Sequence, residues 1–251
     1  MSRRLVIITG AASGIGRTTA LQLIGEGWHV LALDRDQPAL DALRAEVGKP
    51  EVLTCRHFDI TATDTIDNIL ADLPADARLA GLVNSAGIAL SQPFLETPLD
   101  KVRQILDVNL IGAFALNQAV ARLMSSQGSG SIVNITSGSG LRANAGRAAY
   151  GASKAGLELL SKIMAVELAP SGVRVNTIAP GPIETPLVVA VHSADDRRRA
   201  TRSVPQGRYG KPQDIANAVS YLLDDDRSGY VTGHTLCVDG GFFAAGAFDA
   251  R

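Results

Sequence analysis

Tyr150 and Lys154 stand four residues apart, a spacing that on a helix puts both side chains on one face, close enough to interact. A free phenol ionises near pH ~10, too high for efficient acid/base work near neutrality. An ammonium beside it, joined by the positive charge of an oxidised nicotinamide, favours phenolate and is expected to lower that pKa. Tyr150 then accepts the proton in alcohol oxidation and returns it in carbonyl reduction. Ser137, 13 residues earlier, closes a strand-like run at the carboxyl edge of the sheet, where folds of this kind bind ligands. Its hydroxyl can hold a substrate oxygen facing Tyr150 and stabilise charge developing there. Taken singly, the tyrosine is an amphipathic side chain at a helix start and the lysine a solvated one. Their combination with Ser137 and a glycine loop favours catalysis.

That loop is Thr9-Gly10-Ala11-Ala12-Ser13-Gly14-Ile15-Gly16, between a strand-like run and a helix-like one. Small residues let backbone approach a pyrophosphate, and free N–H groups at the helix start carry partial positive charge toward it. A tight strand-to-helix turn would need glycine too, so the loop alone is a weak sign. Asp34 sharpens it, because it closes the second strand-like run 24 residues after Gly10, near the offset at which an acid meets a ribose 2′-hydroxyl. A carboxylate there repels the 2′-phosphate of NADP, and Ser13 offers no positive charge to offset this. The expected cofactor is therefore NAD, with adjacent Arg35 as the residue that could instead pair with the phosphate of NADP.

These groups need a scaffold, and the rest of the sequence describes one. Apolar runs at 5–9, 29–33, 51–56, 79–84, 131–136, 173–178 and 235–238 alternate with helix-length segments, among them 14–26, 98–126, 150–168 and 212–223. The runs are continuous rather than alternating, as in strands buried on both faces. The expected fold class is α/β, a doubly wound seven-stranded parallel sheet of Rossmann type with helices on both faces. No repeat, linker or low-complexity tract divides the chain, so residues 1–251 are expected to form one domain. The segment 182–205, with its Pro-rich opening and the charge run Asp195-Asp196-Arg197-Arg198-Arg199, suits either a solvated helix face or an active-site lid.

The spacing Gly10-x-x-x-Gly14-x-Gly16 resembles the glycine motif of the short-chain dehydrogenase/reductase family, and further motifs agree in order from residue 5 to 241. Asn84-Ser85-Ala86-Gly87 resembles the family's Asn-Asn-Ala-Gly, with Ser85 a mild departure. Tyr150-Gly151-Ala152-Ser153-Lys154 and Ser137 match its catalytic Tyr, Lys and Ser, and Asn109 stands where it keeps an active-site Asn. Pro180-Gly181-Pro182-Ile183-Glu184-Thr185 matches its turn at the nicotinamide end. Asp59, in Phe58-Asp59-Ile60, falls where it has an Asp beside the adenine. Val231-Thr232-Gly233 and Val238-Asp239-Gly240-Gly241 resemble its C-terminal signature. The resemblance implies that Lys154 also grips the nicotinamide ribose, that Asn109 fixes a water passing the proton to solvent, and that the protein is a homotetramer.

Composition removes several other functions. A net charge of -1 gives no case for nucleic acid, which calls for a clustered basic surface. Apolar runs fall far short of the ~20 residues that cross a bilayer, and the basic start is followed by too short a run for a signal peptide. A cytoplasmic protein is expected, with Cys55 and Cys237 as reduced thiols. His29, His57, His192 and His234 lack ligand-like spacing, so no metal is expected. The competing functions are an NADP-dependent carbonyl or 3-ketoacyl reductase and, from another class, a dinucleotide-sensing regulator without turnover. The presence of both Tyr150 and Lys154 argues against the regulator. A small-molecule alcohol or ketone is the expected partner. Ser139, Leu141, Asn144, Gln92 and Leu187 are expected to line its pocket, and their mixture of types leaves the substrate open. The C-terminal run from Phe242 to Phe248 carries three aromatics and no charge, as a segment that packs on a neighbouring subunit or folds back on its own would.

Overall fold

A computed structural model describes residues 3–74 and 77–245. In chain order the elements begin β1 (Arg3–Thr9), α1 (Gly14–Gly25), β2 (His29–Asp34), α2 (Gln37–Val47), β3 (Leu53–His57), α3 (Ile66–Ala71) and β4 (Ala77–Asn84). They continue with α4 (Leu99–Leu106), α5 (Ala113–Gln127), β5 (Gly130–Ile135), α6 (Gly138–Leu141), α7 (Ala148–Leu168) and β6 (Val173–Pro180). Last come α8 (Pro186–Val191), α9 (Ala194–Ser203), α10 (Pro212–Leu223), α11 (Asp225–Ser228) and β7 (Thr235–Val238). The seven strands form one parallel sheet in the order β3-β2-β1-β4-β5-β6-β7. Strand order reverses between β1 and β4, and ligands of open α/β sheets bind at such a reversal, outside the carboxyl ends of the strands.

Why the strands are continuous apolar runs is visible in the packing. Alternate residues of each central strand enter opposite cores. Val6, Ile8, Val30, Ala32 and Val83 pack with Leu23 of α1 and Val219 and Leu222 of α10, whereas Leu5, Ile7, Leu31, Leu33 and Leu82 pack with Leu116, Val120 and Met124 of α5. Each fully buried aliphatic side chain contributes ~1.5–3 kcal/mol by leaving water, so neither face tolerates a polar alternation. Local signals fix the helix ends. Asp36 caps α2 by accepting from the Ala39 N–H at 3.0 Å, and left-handed Gly48 ends that helix.

Two expectations change here. The segment 98–126 is not one α-helix, because a π-helical stretch, Asp107–Gly112, separates α4 from α5. Such wider turns occur often at functional sites, and Asn109 lies within this one. Gly112 closes it where a Cβ would come within 2.4 Å of the Ile60 carbonyl oxygen, so the helix can press on the loop after β3 only with glycine there. Residues 51 and 52 form a turn, and the third strand starts at Leu53. Cys55 and Cys237 are free thiols on β3 and β7, and burial pushes both pKa values up.

Candidate active site

The loop from β1 to α1 supplies a cradle. Gly10 and Gly14 have φ of +66° and +51°, the left-handed region that other residues rarely adopt. A Cβ on Gly10 would meet the Ala86 backbone at 2.9 Å, and one on Gly16 would meet the Gly10 carbonyl oxygen at 2.2 Å. Thr9 Oγ1 accepts from the Ser85 and Ala86 N–H groups at 3.2 and 3.1 Å, tying the loop's root to the loop after β4. Ser13 precedes α1 without capping it through its side chain, so that hydroxyl does not occupy the N–H groups a phosphate would use. Gly10, Ser13, Gly14, Ile15, Asp34, Arg35, Asp59, Ile60, Ala86, Gly87 and Thr185 line one cleft. Glycine backbone at one end and carboxylates at the other fit a dinucleotide's pyrophosphate and adenosine.

Asp34 is held in place by its own neighbours. Its Oδ2 accepts from the Ala12 N–H at 3.0 Å and its Oδ1 from the Asp36 N–H at 3.0 Å. The carboxylate therefore faces the glycine loop at a fixed position, with lone pairs still available to a hydroxyl. Asp59 accepts from the Thr61 N–H at 2.9 Å and from Thr61 Oγ1 at 2.7 Å. Those bonds, with the charges of Arg35 and His57 helping, hold its pKa below the usual carboxylate value.

Tyr150 and Ser137 line a second cleft that shares Leu187 with the first, and Lys154 is buried beside Gly87 of the first. Ser137 ends the strand-to-helix passage into α6, its Oγ accepting from the Ser139 N–H at 3.1 Å, and it lines the same cleft as Tyr150. Burial raises the Tyr150 pKa more than the neighbouring Ser137 hydroxyl and the Arg147 charge lower it. Lys154 lies 6.0 Å from the Tyr150 ring centroid and donates to the Ile135 carbonyl at 2.8 Å. Burial of its ammonium brings its pKa down to about 8. Lys154 is not among the groups that lower the Tyr150 pKa here, since its hydrogen bond points to Ile135 and burial of the phenol dominates.

Asn109 is held by three hydrogen bonds. Its Oδ1 accepts from the Ile88 N–H at 2.9 Å, while its Nδ2 donates to the Ile88 carbonyl at 2.9 Å and to Ser153 Oγ at 3.0 Å. Both amide hydrogens are committed, while Oδ1 accepts one bond and keeps a second lone pair able to accept from a water. The side chain joins the loop after β4 to α7, since Ser153 Oγ in turn donates to the Tyr150 carbonyl at 2.7 Å.

The second cleft is lined by Ser137, Ser139, Asn144, Arg147, Tyr150, Pro180, Gly181, Leu187 and His192, with Asp196 and Arg199 of α9 at its edge. The segment 182–205 combines solvated charges with residues that line the second cleft. One side of α9 carries the solvated Arg198–Asp195 ion pair, and the side bearing the Arg199–Asp196 pair borders the cleft. Phe242 lines the same cleft beside Arg142, 5.5 Å from its ring centroid, so this part of the tail folds back on its own chain. Phe248 lies outside the described residues.

Other expected site residues fall elsewhere. Asn84 is buried in a polar cluster, its Nδ2 donating to Asn117 and Asn134 at 2.9 and 2.8 Å, so its side chain braces β4 against β5. Ile183 packs in the core with Ile215 and Val219. Gly16 is buried under the loop, and Pro180 and Gly181 border the second cleft rather than the first. Leu141 and Gln92 do not line the second cleft. Gln92 donates to the Glu96 carbonyl at 2.8 Å instead. Sequence reasoning missed Thr9, whose hydroxyl role depends on contact with a loop 76 residues away. It also missed Arg147, which the place three residues before Tyr150 could have suggested.

Comparisons agree with this geometry. A family model described as enoyl-(acyl carrier protein) reductase matches residues 10–243. The 3-oxoacyl-[acyl-carrier-protein] reductase FabG of Thermotoga maritima is 38% identical over 240 residues, 95% of this chain and 97% of that one. The chain belongs to the short-chain dehydrogenase/reductase family. Another relative, the L-xylulose reductase of Homo sapiens, is 36% identical over 246 residues, 97% of this chain and 98% of that one. Among solved structures, one titled "ElxO with NADP Bound" aligns at a TM-score of 0.89 with 28% identity, covering 97% of this chain and 100% of that one. As a short-chain dehydrogenase/reductase the protein is an oxidoreductase of hydroxyl and ketone groups that uses a nicotinamide dinucleotide. No helix among the described residues is long and apolar enough to cross a membrane.

Proposed function

We propose that the protein interconverts a secondary alcohol and a ketone, that Tyr150 is its acid/base, and that NAD is its preferred dinucleotide. The observation that carries this reading is that Ser137 and Tyr150 line one cleft together, beside buried Lys154. That cleft suits a small substrate and shares Leu187 with the one suited to a dinucleotide.

A bound nicotinamide ring supplies or accepts the hydride. The chain's own residues do the rest. Ser137 Oγ holds the substrate oxygen toward Tyr150, whose hydroxyl gives a proton to that oxygen in reduction and takes it in oxidation. Burial pushes the Tyr150 pKa up, which favours the protonated phenol that serves as the acid of ketone reduction. Lys154, fixed by Ile135, borders Gly87 with a cationic head near where ribose hydroxyls would lie. Asn109 positions rather than reacts, by holding Ile88 and Ser153.

Asp34 supports NAD, because its carboxylate is fixed at the end of β2 facing the cleft. A second reading, NADP, is favoured by Arg35 in the same cleft and by the NADP in a solved relative's title. Initial rates with each dinucleotide, on a panel of secondary alcohols and ketones, decide between them. Turnover of no member with either would overturn the enzymatic reading. Residues 1–251 act in this reading as one domain in the cytoplasm, assembled as a homotetramer through apolar side chains left exposed near α5 and on α7.

A further inference from the structure

The cleft beside Tyr150 carries a charge that nothing in it balances. Arg147 is the residue preceding α7, three positions before Tyr150, and its side chain does not cap that helix. Its guanidinium lines the cleft and is close enough to act electrostatically on both Tyr150 and His192. Yet among the described residues no carboxylate pairs with it. The other charged groups lining the cleft cancel. Arg199 donates to Asp196 at 2.6 Å, and that bond with those from Ser193 holds Asp196 ionised, far below the usual carboxylate range. His192 shares a 3.0 Å hydrogen bond with the Tyr209 hydroxyl, and burial pushes its pKa down, toward the neutral ring. One net positive charge remains, half-buried and next to the reacting position.

A neutral substrate filling this cleft would strip water from Arg147 and give nothing in return, which is unfavourable for a charged group. A carboxylate would replace that water with two parallel N–H···O bonds, the geometry a guanidinium fork is built for. We propose that Arg147 binds the carboxylate of the substrate, so that the enzyme acts on oxo acids and hydroxy acids rather than on neutral ketones. A single fixed cation suits a monoanion, and its place one helical turn before Tyr150 keeps the acid group within a few carbons of the reacting carbonyl. Arg147 is a specificity-determining residue here, and no proton or hydride passes through it. This inference rests on Tyr150 being the acid/base, and the experiment separates the two.

The probes are straight-chain 2-, 3-, 4- and 5-oxo acids, each with its ethyl ester, plus the N-acetylcysteamine thioester of 3-oxobutanoate as a neutral acyl-carrier mimic. The readout is the ratio of kcat/KM for acid over ester, in which any effect of Arg147 on Tyr150 itself divides out. The wild type is expected to favour its best acid by more than about tenfold, Arg147→Gln to bring that ratio to within about threefold of one through KM, and Arg147→Lys to restore part of it. A ratio near or below one in the wild type, a ratio unchanged in Arg147→Gln, or a thioester preferred tenfold over every acid would overturn the proposal. Calorimetry of the same pairs on dinucleotide-saturated Tyr150→Phe reads binding without turnover. Acid binding that is lost when Arg147→Gln is added supports the proposal, and equal binding of acid and ester contradicts it. Persistent turnover by Tyr150→Phe would defeat the acid/base assignment and leave this binding comparison standing.

Discussion

Lys154 Nζ lies 6.0 Å from the centroid of the Tyr150 ring and gives its hydrogen bond to the Ile135 carbonyl, at 2.8 Å. The two side chains share a helix face, as their spacing requires, but the lysine is anchored to the sheet rather than to the phenol. Its ammonium is thus a buried charge with one protein acceptor, and that has a measurable consequence.

Burial brings the Lys154 pKa to about 8 from the ordinary 10.5. Between those values the unfolded chain holds a proton that the folded one has released, so this residue's unfavourable contribution is full below pH 8 and fades as pH rises toward 10.5. Lys154→Met removes it. The melting temperature of the variant minus that of the wild type should therefore be more positive at pH 7 than at pH 10, and a difference that grows with pH would contradict the assignment.

Asp34 is expected to discriminate dinucleotides by charge. Asp34→Asn keeps an acceptor for the Ala12 N–H yet removes the repulsion toward a 2′-phosphate. Hydrogen bonds to charged groups are worth ~1.5–3 kcal/mol, so the kcat/KM ratio of NAD to NADP should fall by roughly ten- to a hundredfold. Kinetics with both dinucleotides check this, and an unchanged ratio would mean that Arg35 or the loop sets the preference.

Asn109 secures three partners within the π-helical turn. Asn109→Ala leaves the Ile88 N–H and carbonyl and the Ser153 hydroxyl to find water, at ~1–3 kcal/mol for each group left unpaired. With partial rescue by water, a loss of ~2–4 kcal/mol and a fall in melting temperature of roughly 4–16 °C are expected at this chain length. Calorimetric melting within a degree of wild type would show that these bonds are not stabilising.

Assembly is testable through the uncovered helix faces. Ile111 and Phe114, at the π-helical turn and the start of α5, and Leu159, Ile163 and Val166 of α7 are exposed aliphatic or aromatic side chains, and such patches mark interfaces. Sedimentation at micromolar concentration should show a tetramer of the 26.2 kDa chain, and Leu159→Glu with Val166→Glu should shift it to smaller species. A wild-type monomer would contradict the proposed assembly.

Fold and loop chemistry were legible because they follow from local rules. Continuous apolar runs such as Leu5–Ile8 demand burial on both faces, and Gly10, Gly14 and Gly16 stand where a Cβ would strain or clash. The roles of Asn84, Ile183 and Asn109 were not legible, since each depends on partners distant in sequence. Asn84 faces Asn134 only because β4 and β5 pair in register, and Asn109 reaches Ile88 through a helical irregularity that a regular periodicity hides. Burial likewise decides the sign of the Tyr150 shift, and a four-residue spacing carries no information about burial.

The central claim is that the Tyr150 hydroxyl moves the proton. Tyr150→Phe removes that oxygen and leaves the ring, the glycine loop and Asp34 in place, so the measurement is kcat on the best substrate of the panel together with dinucleotide affinity by fluorescence titration. A loss of ~10²–10⁴-fold in kcat with affinity within about threefold of wild type is the predicted result, whereas a variant retaining more than about a tenth of wild-type turnover would contradict it.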